Sequence, residues 1–282
     1  MSVMSIRKLI KKDARLALKS AFSKAASITL TLAAVGIFFY LLESLLYYIL
    51  DIRPVAEMVA ELPFPVTALP EIPLLGLAVS GGCLLLSFLL LSPLNLGAVK
   101  WYYELSSGGE ASFELLFTYF SSFKLYCRAL WYAINLSVRS FFWTLLFLLP
   151  GSFCLAAASW LYSVENIPLY LSVVSLLMVI GVFLLAFGCV FAFIYLQKYY
   201  VASYLICQDN TVPAIQCFKT SCRYSRGSRG FIALFRLSFL LWYLLCVFIF
   251  PVLYVIPYTE ASYAIYAKYL IQKGNLERFK SF

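Results

Sequence analysis

Residues 169–196 read LYLSVVSLLMVIGVFLLAFGCVFAFIYL, without a single charged side chain. A hydrocarbon core about 30 Å thick is crossed by roughly 20 apolar residues in a helix, and this stretch meets that length. The rest of the chain has the same character: 63% of its 282 residues are hydrophobic and 12% charged. Soluble domains carry about a quarter charged residues, because the surface of a globule must be largely wettable. The solvent this composition fits is lipid. Further spans are read at 28–50, 74–99 and 140–162. From Phe231 the apolar character continues to Ile271, with breaks expected at Pro251 and Pro257. The expectation is an all-α, polytopic transmembrane bundle forming one integral membrane domain over 1–282. It has six spans, or five if 231–271 is one span with a tail. A cleavable signal has an apolar stretch of about 7–15 residues before a small-residue site. The run 28–50 is longer and passes through Glu43, Tyr47 and Tyr48, so it is read as a retained span.

Charge supplies the orientation, since Lys and Arg concentrate in cytoplasmic loops. Lys8, Lys11, Lys12 and Arg15 precede the first span, and Lys219, Arg223, Arg226 and Arg229 precede the fifth. The second and fourth connections are acidic, with Asp51, Glu57, Glu61 and Glu71 in one and Glu165 in the other. Both termini are therefore placed on the cytoplasmic side. A net charge of +9 raises the question of nucleic acid. The basic residues flank spans, which points to anionic lipid headgroups as the partner instead.

Residues 207–230, CQDNTVPAIQCFKTSCRYSRGSRG, interrupt the apolar pattern and open three readings: metal site, reactive thiol or connector. Thr211 is expected to cap a helix starting near Pro213. On that helix Ala214, Cys217, Phe218, Ser221 and Cys222 share one face, and Gln216, Lys219, Thr220 and Arg223 the other. Such a helix is expected to lie in the interface with its apolar face in lipid. Residues 3–21 form a second amphipathic helix, with Ile6, Ile10, Ala14 and Ala17 opposite Arg7, Lys8, Lys11 and Arg15. Residues 109–131, GEASFELLFTYFSSFKLYCRALW, repeat the order of turn, short amphipathic segment, basic residues and span. PLNLGAVKWYYEL from Pro93 resembles PYTEASYAIYAKYL from Pro257. Together these suggest a threefold repeat over 3–105, 110–207 and 211–273, a known way to build membrane bundles.

The chemistry is sparse. No histidine occurs, which removes the commonest general base and zinc ligand. The eight cysteines form no CxxC, so neither metal nor cofactor is expected, and the connector reading is preferred. Polar groups inside spans are the best functional pointers, because lipid makes them costly. Glu43, Asn95, Asn135 and Glu260 are the candidates for lining a cavity. Pro93, Pro150, Pro251 and Pro257 are read as helix breaks that free carbonyls.

The segments YYVASYLICQDN, LFRLSFLLWYLL and VIPYTEASYAIYAKYL resemble bacterial membrane proteins grouped as domain of unknown function 975. IRKLIKKDARLALK, SPLNLG, LLFTYF and LLFLLPG are similar to that family too, and the resemblance covers most of the chain. Residues 152–197 depart from it, where the family's LPG-like end leads more directly to the YY-A-YL segment. The resemblance implies a protein of a bacterial cytoplasmic membrane, of the Gram-positive type, with no catalytic residues to carry over. The leading functional expectation is a non-enzymatic bundle that binds or moves a small amphipathic molecule or supports a membrane assembly. The alternative is a membrane-embedded enzyme acting on lipid through Glu43 or Glu260.

Overall fold

A computed structural model describes residues 3–60, 73–109, 111–164, 168–209 and 211–279. Glu61, Glu71, Glu165 and Lys280, which enter the charge pattern, lie outside them. The described residues are helical, with no strand among them. In chain order the helices are α1 (Val3–Ile49), α2 (Val55–Ala60), α3 (Leu74–Ser106), α4 (Phe123–Val164) and α5 (Pro168–Leu196). They continue as α6 (Ala202–Gln208), α7 (Ala214–Tyr224), α8 (Arg229–Leu237), α9 (Leu240–Leu245) and α10 (Ile249–Phe279). Two 3₁₀ turns, Phe113–Phe120 and Gln197–Tyr199, precede α4 and α6. Four helices are long and apolar enough to cross a membrane, over Ile6–Ile49, Leu74–Ser106, Phe123–Tyr162 and Leu171–Gln208. Ala214–Tyr224 with Arg229–Leu245, bent by 91°, makes a fifth if the pair is one broken span.

Two compact units share the chain. The first comprises Met1–Gly36, Phe88–Leu136 and Ile194–Phe282, and α10 is its axis. Tyr258, Thr259, Ala261, Ser262, Ala264, Ala267 and Leu270 are all buried on that helix. Around them pack Ile10, Ala14 and Leu18 of α1, Trp101 of α3, and Phe235 with Phe239 beyond α7. Small residues let neighbours approach the α10 backbone, and its serine and threonine bond their own helix, as Ser262 Oγ does to Tyr258 O at 2.7 Å. A helix shielded by protein on most sides does not need lipid-grade apolarity, which is why α10 is absent from the four apolar spans. Trp101 is fully buried and donates its indole N–H to Ala111 O at 3.2 Å.

The second unit comprises Ile37–Ser87 and Ser137–Phe193. Here α4 and α5 form an antiparallel pair in which glycine contacts keep register. A Cβ on Gly188 would strike Phe147 O, one on Gly151 would meet Leu185 N at 2.6 Å, and one on Gly181 would meet Leu155 Cδ2 at 2.8 Å. Stepping down α4 by four residues steps up α5 by about as many. Between apolar helices this close backbone approach supplies the attraction that hydrophobic burial cannot.

The prolines do not break their helices: α3 continues through Pro93, α4 through Pro150 and α10 through Pro257. Pro251 stands in the first turn of α10, where its missing donor is an orphan anyway. At Pro93 the compensation is visible. The ring leaves Leu89 O without its i+4 donor, and Tyr126 of α4 donates its hydroxyl to that oxygen at 3.3 Å. The interruptions fall elsewhere. Ala21 leaves helical geometry (φ −120°, ψ 15°) inside α1, and Gly227, at φ +76°, turns the chain between α7 and α8.

Two expectations for the 207–230 connector are corrected. Thr211 does not cap α7: its N–H and hydroxyl both donate to Asp209 Oδ1, at 2.8 and 2.7 Å. Asp209 is the acceptor, and this turn presents Pro213 at the N-cap position. The α7 face holding Ala214, Cys217, Phe218 and Ser221 is buried as read, but in protein rather than lipid. Phe218 stacks on Tyr132 with ring centroids 5.1 Å apart and meets Tyr199 edge-on.

Candidate functional site

In the second unit the C-terminal part of α1 lies beside the start of α3. Glu43 and Tyr47 are one turn apart on α1, as Gly76 and Ser80 are on α3, so each helix presents two groups on one face. Ser80 Oγ donates to Glu43 Oε1 at 2.5 Å. Tyr47 Oη lies 2.6 Å from Ser80 Oγ and 3.2 Å from Gly76 O. Ser80 spends its one proton on Glu43, so the single hydroxyl hydrogen of Tyr47 is shared between Gly76 O and Ser80 Oγ. The network orients the Glu43 carboxylate without neutralising it.

Beyond Tyr47, α1 ends in a cap that makes two bonds, Ile52 N–H to Tyr47 O and Asp51 N–H to Tyr48 O. This closure needs a residue in the left-handed region, usually glycine. Asp51 occupies it at φ 52°. The turn places Asp51, Arg53 and Glu57 around the same opening as Glu43 and Tyr47, lining an open cavity of about 680 Å³. Pockets of about 300–1,000 Å³ suit drug-sized ligands. Among the described residues the lining carries three carboxylates against one guanidinium, together with the rings of Tyr40, Tyr47 and Tyr48. Carboxylates and tyrosine faces both attract cations.

The other sequence candidates are arranged differently. Asn95 is exposed on α3 and makes no side-chain hydrogen bond among the described residues, so it does not bond the carbonyl that Pro93 frees. Asn135 donates to Trp131 O of its own helix at 2.8 Å. Neither joins a common polar chamber. Glu260 is partly buried on α10, within electrostatic reach of Arg236, with Tyr102, Tyr200 and Tyr204 around it.

What the sequence reading missed is a set of cations held in the first unit by tyrosine rings. Arg236 lies 5.5 Å from the Tyr200 centroid and 5.2 Å from that of Tyr263, and donates to Gln197 Oε1 at 3.3 Å. Lys198 sits 3.7 Å from the Tyr195 ring. The KYY run from Lys198 was the available signal, since lysine and arginine stems pack well on aromatic faces.

The basic residues divide. Lys8 and Lys12 are exposed, whereas Lys11 donates to Ser238 O at 3.4 Å and lies over the Phe239 ring. Arg15 covers Tyr258, and Arg229 faces Tyr195 at 5.5 Å. Lys219, Arg223 and Arg226 are exposed. Arg128 ties down the connector by donating to Asp209 O and Val212 O at 2.6 and 2.7 Å. All eight cysteines are unbridged, and Cys207 is buried where Tyr119 donates to its sulfur at 3.4 Å.

No curated protein and no solved structure matches the chain. The segments quoted for the resemblance lie inside one match that runs through the 152–197 departure and through every helix up to α10. A family described as protein of unknown function (DUF975) covers residues 4–273, nearly the whole chain, and to that family the chain belongs.

Proposed function

We propose that this membrane protein binds an amphipathic organic cation in the Glu43 cavity, to carry or to sense it, without a chemical step. The observation that carries the reading is the lining itself: Glu43, Asp51 and Glu57 beside three tyrosine rings in about 680 Å³. Carboxylates select the charge, and the rings accept an alkylammonium and the start of its chain. A lipid enzyme would need an acid and a base converging on one reacting atom. Glu43 is instead engaged by Ser80, with no second proton-transfer group on its other oxygen among the bonds it makes.

In this reading the protein is a multi-pass protein of a bacterial cytoplasmic membrane, with both termini cytoplasmic and the Glu43 cavity at the outer surface. The segregation of Lys and Arg supports it, as does the acidic character of residues 51–57. α10 is the sixth span, carried through the bilayer inside a sheath of its neighbours. A threefold repeat is supported by the recurring order of short segment and long helix: α1 bends at Ala21, a 3₁₀ turn precedes α4, and α7 bends into α8. The basic ends meet anionic headgroups.

The test is titration of dodecyltrimethylammonium into the purified protein in phosphatidylcholine nanodiscs. Saturable binding is expected, weakened about tenfold by Glu43→Gln, the size of one lost contact to an ion. Equal binding of dodecyl sulfate, or no effect of Glu43→Gln and Glu57→Gln, would sink the proposal.

A further inference from the structure

A second cavity, in the first unit, has the opposite chemistry. It measures about 220 Å³ and lies among the start of α1, the α7–α8 turn and the C-terminal part of α10. Among the described residues Arg7, Arg226 and Lys273 supply three cations to its wall, and no carboxylate lines it. Neither Arg7 nor Arg226 has an ion pair or side-chain hydrogen bond to another described residue. Arg7 and Arg226 are thus like charges at one cavity, neither ion-paired to another described residue; such an arrangement is costly and favours an anion.

The backbone adds to this. Gly227 turns the chain at φ +76°, and Ser228 stands at the N-cap of the nine-residue α8. Ser228 lines the cavity, is 9% exposed, and makes no capping bond with its hydroxyl. The first α8 backbone bond is Ile232 N–H to Ser228 O, so the N–H groups of Arg229, Gly230 and Phe231 have no partner within the helix. Such a helix start favours an oxyanion. Arginines add bidentate donors, and phosphate is the anion whose several oxygens can use both. The remaining wall is apolar, from Ile6, Phe231 and Leu270, and Phe231 is 44% exposed. A ligand with a phosphate at one end and an alkyl chain at the other satisfies both parts.

We infer that the groove among Arg7, Arg226, Ser228 and Lys273 is a stoichiometric binding site for a phosphate ester, supplied by the headgroup of an anionic lipid. It uses none of the residues of the Glu43 cavity, so either site can fail while the other stands. Fixed phosphate at this place would pin the start of α1 to the α7–α8 turn and to α10.

Native mass spectrometry of the full chain, released from phosphatidylcholine nanodiscs containing phosphatidic acid or phosphatidylglycerol, tests this. One tightly retained anionic lipid is expected. Arg226→Gln, at an exposed turn, should reduce its retention about fivefold, and Arg7→Gln with Arg226→Gln multiplicatively more, as for cations near a lipid surface. Lys8→Gln with Lys12→Gln removes the same charge outside the groove and should leave retention unchanged. Arg226→Lys should restore part of it, and its monodisperse elution separates a binding defect from misfolding. A parallel titration with inorganic phosphate in uncharged detergent identifies the source. Weak binding lost in the Arg226 variant, and no displacement of lipid, supports the lipid headgroup. Full displacement of lipid by inorganic phosphate would overturn the lipid assignment. Equal loss in the Lys8/Lys12 control, or no retained anionic lipid, would overturn the site.

Discussion

Asp51 holds a backbone conformation that costs a non-glycine residue about 1 kcal/mol, in a cap that a glycine would close freely. Its carboxylate lines the Glu43 cavity, which gives the cost a purpose in the proposed function. Asp51→Gly should raise thermal stability in detergent by about that amount while weakening alkylammonium binding. A rise in stability with unaltered binding would leave Asp51 out of the site. Asp209 shows a different use of a carboxylate. Two donors from Thr211 hold its carboxyl below the ordinary range, so the turn is favoured when Asp209 is ionised. That contribution is whole above about pH 4, the unfolded value, and is lost as pH falls through the depressed one. Thr211→Val removes one donor and should move the loss to higher pH, read from exchange of the backbone amide at position 211. Glu43 could be picked from the sequence because a charge in an apolar run stands out. Its partners Ser80 and Tyr47 could not, since the pairing depends on how α1 and α3 are rotated about their axes.

At the scale of elements, the long helices were legible from apolar length alone, whereas the helix breaks were misplaced. Proline interrupts a helix only when nothing replaces the lost donor, and at Pro93 the replacement comes from another helix, thirty-odd residues on. The coupling is measurable. Tyr126→Phe should destabilise the protein by about 1 kcal/mol, the cost of an orphaned, partly buried carbonyl. In a Pro93→Ala background, where the alanine N–H returns to Leu89 O, the same substitution should cost almost nothing, giving a coupling of similar size. The α4–α5 pair offers a second case. Gly188→Leu forces a side chain against Phe147 O and should cost about 1–3 kcal/mol or more, seen as a lower unfolding temperature. The exposed Gly82, with open space about it, should tolerate leucine. Glycine spacing is visible in the sequence, but many glycines face nothing, and only the partner helix distinguishes the two kinds.

For the molecule as a whole, the charge pattern makes an orientation that labelling can check. In a cysteine-free background in intact spheroplasts, Glu57→Cys should react with an impermeant maleimide, and Lys12→Cys and Asn275→Cys should be protected. Reaction at Asn275→Cys would reduce the six proposed spans to five. The membrane character of the chain could be read from residues 169–196 alone, because lipid solvation is a bulk property of composition. The central place of α10 could not, because its alanines, serines and tyrosines are suited to protein contact and carry no lipid signature. That placement has a consequence for how the protein is made. The insertion machinery admits a segment by its own apolarity, residue by residue, and α10 has too little of it to be admitted alone. Its binding surfaces on α1, α3 and α8 are synthesised before it. In the proposed six-span reading α10 therefore joins helices already in the bilayer, and a ribosome must pass Ile271 before the core of the first unit can close.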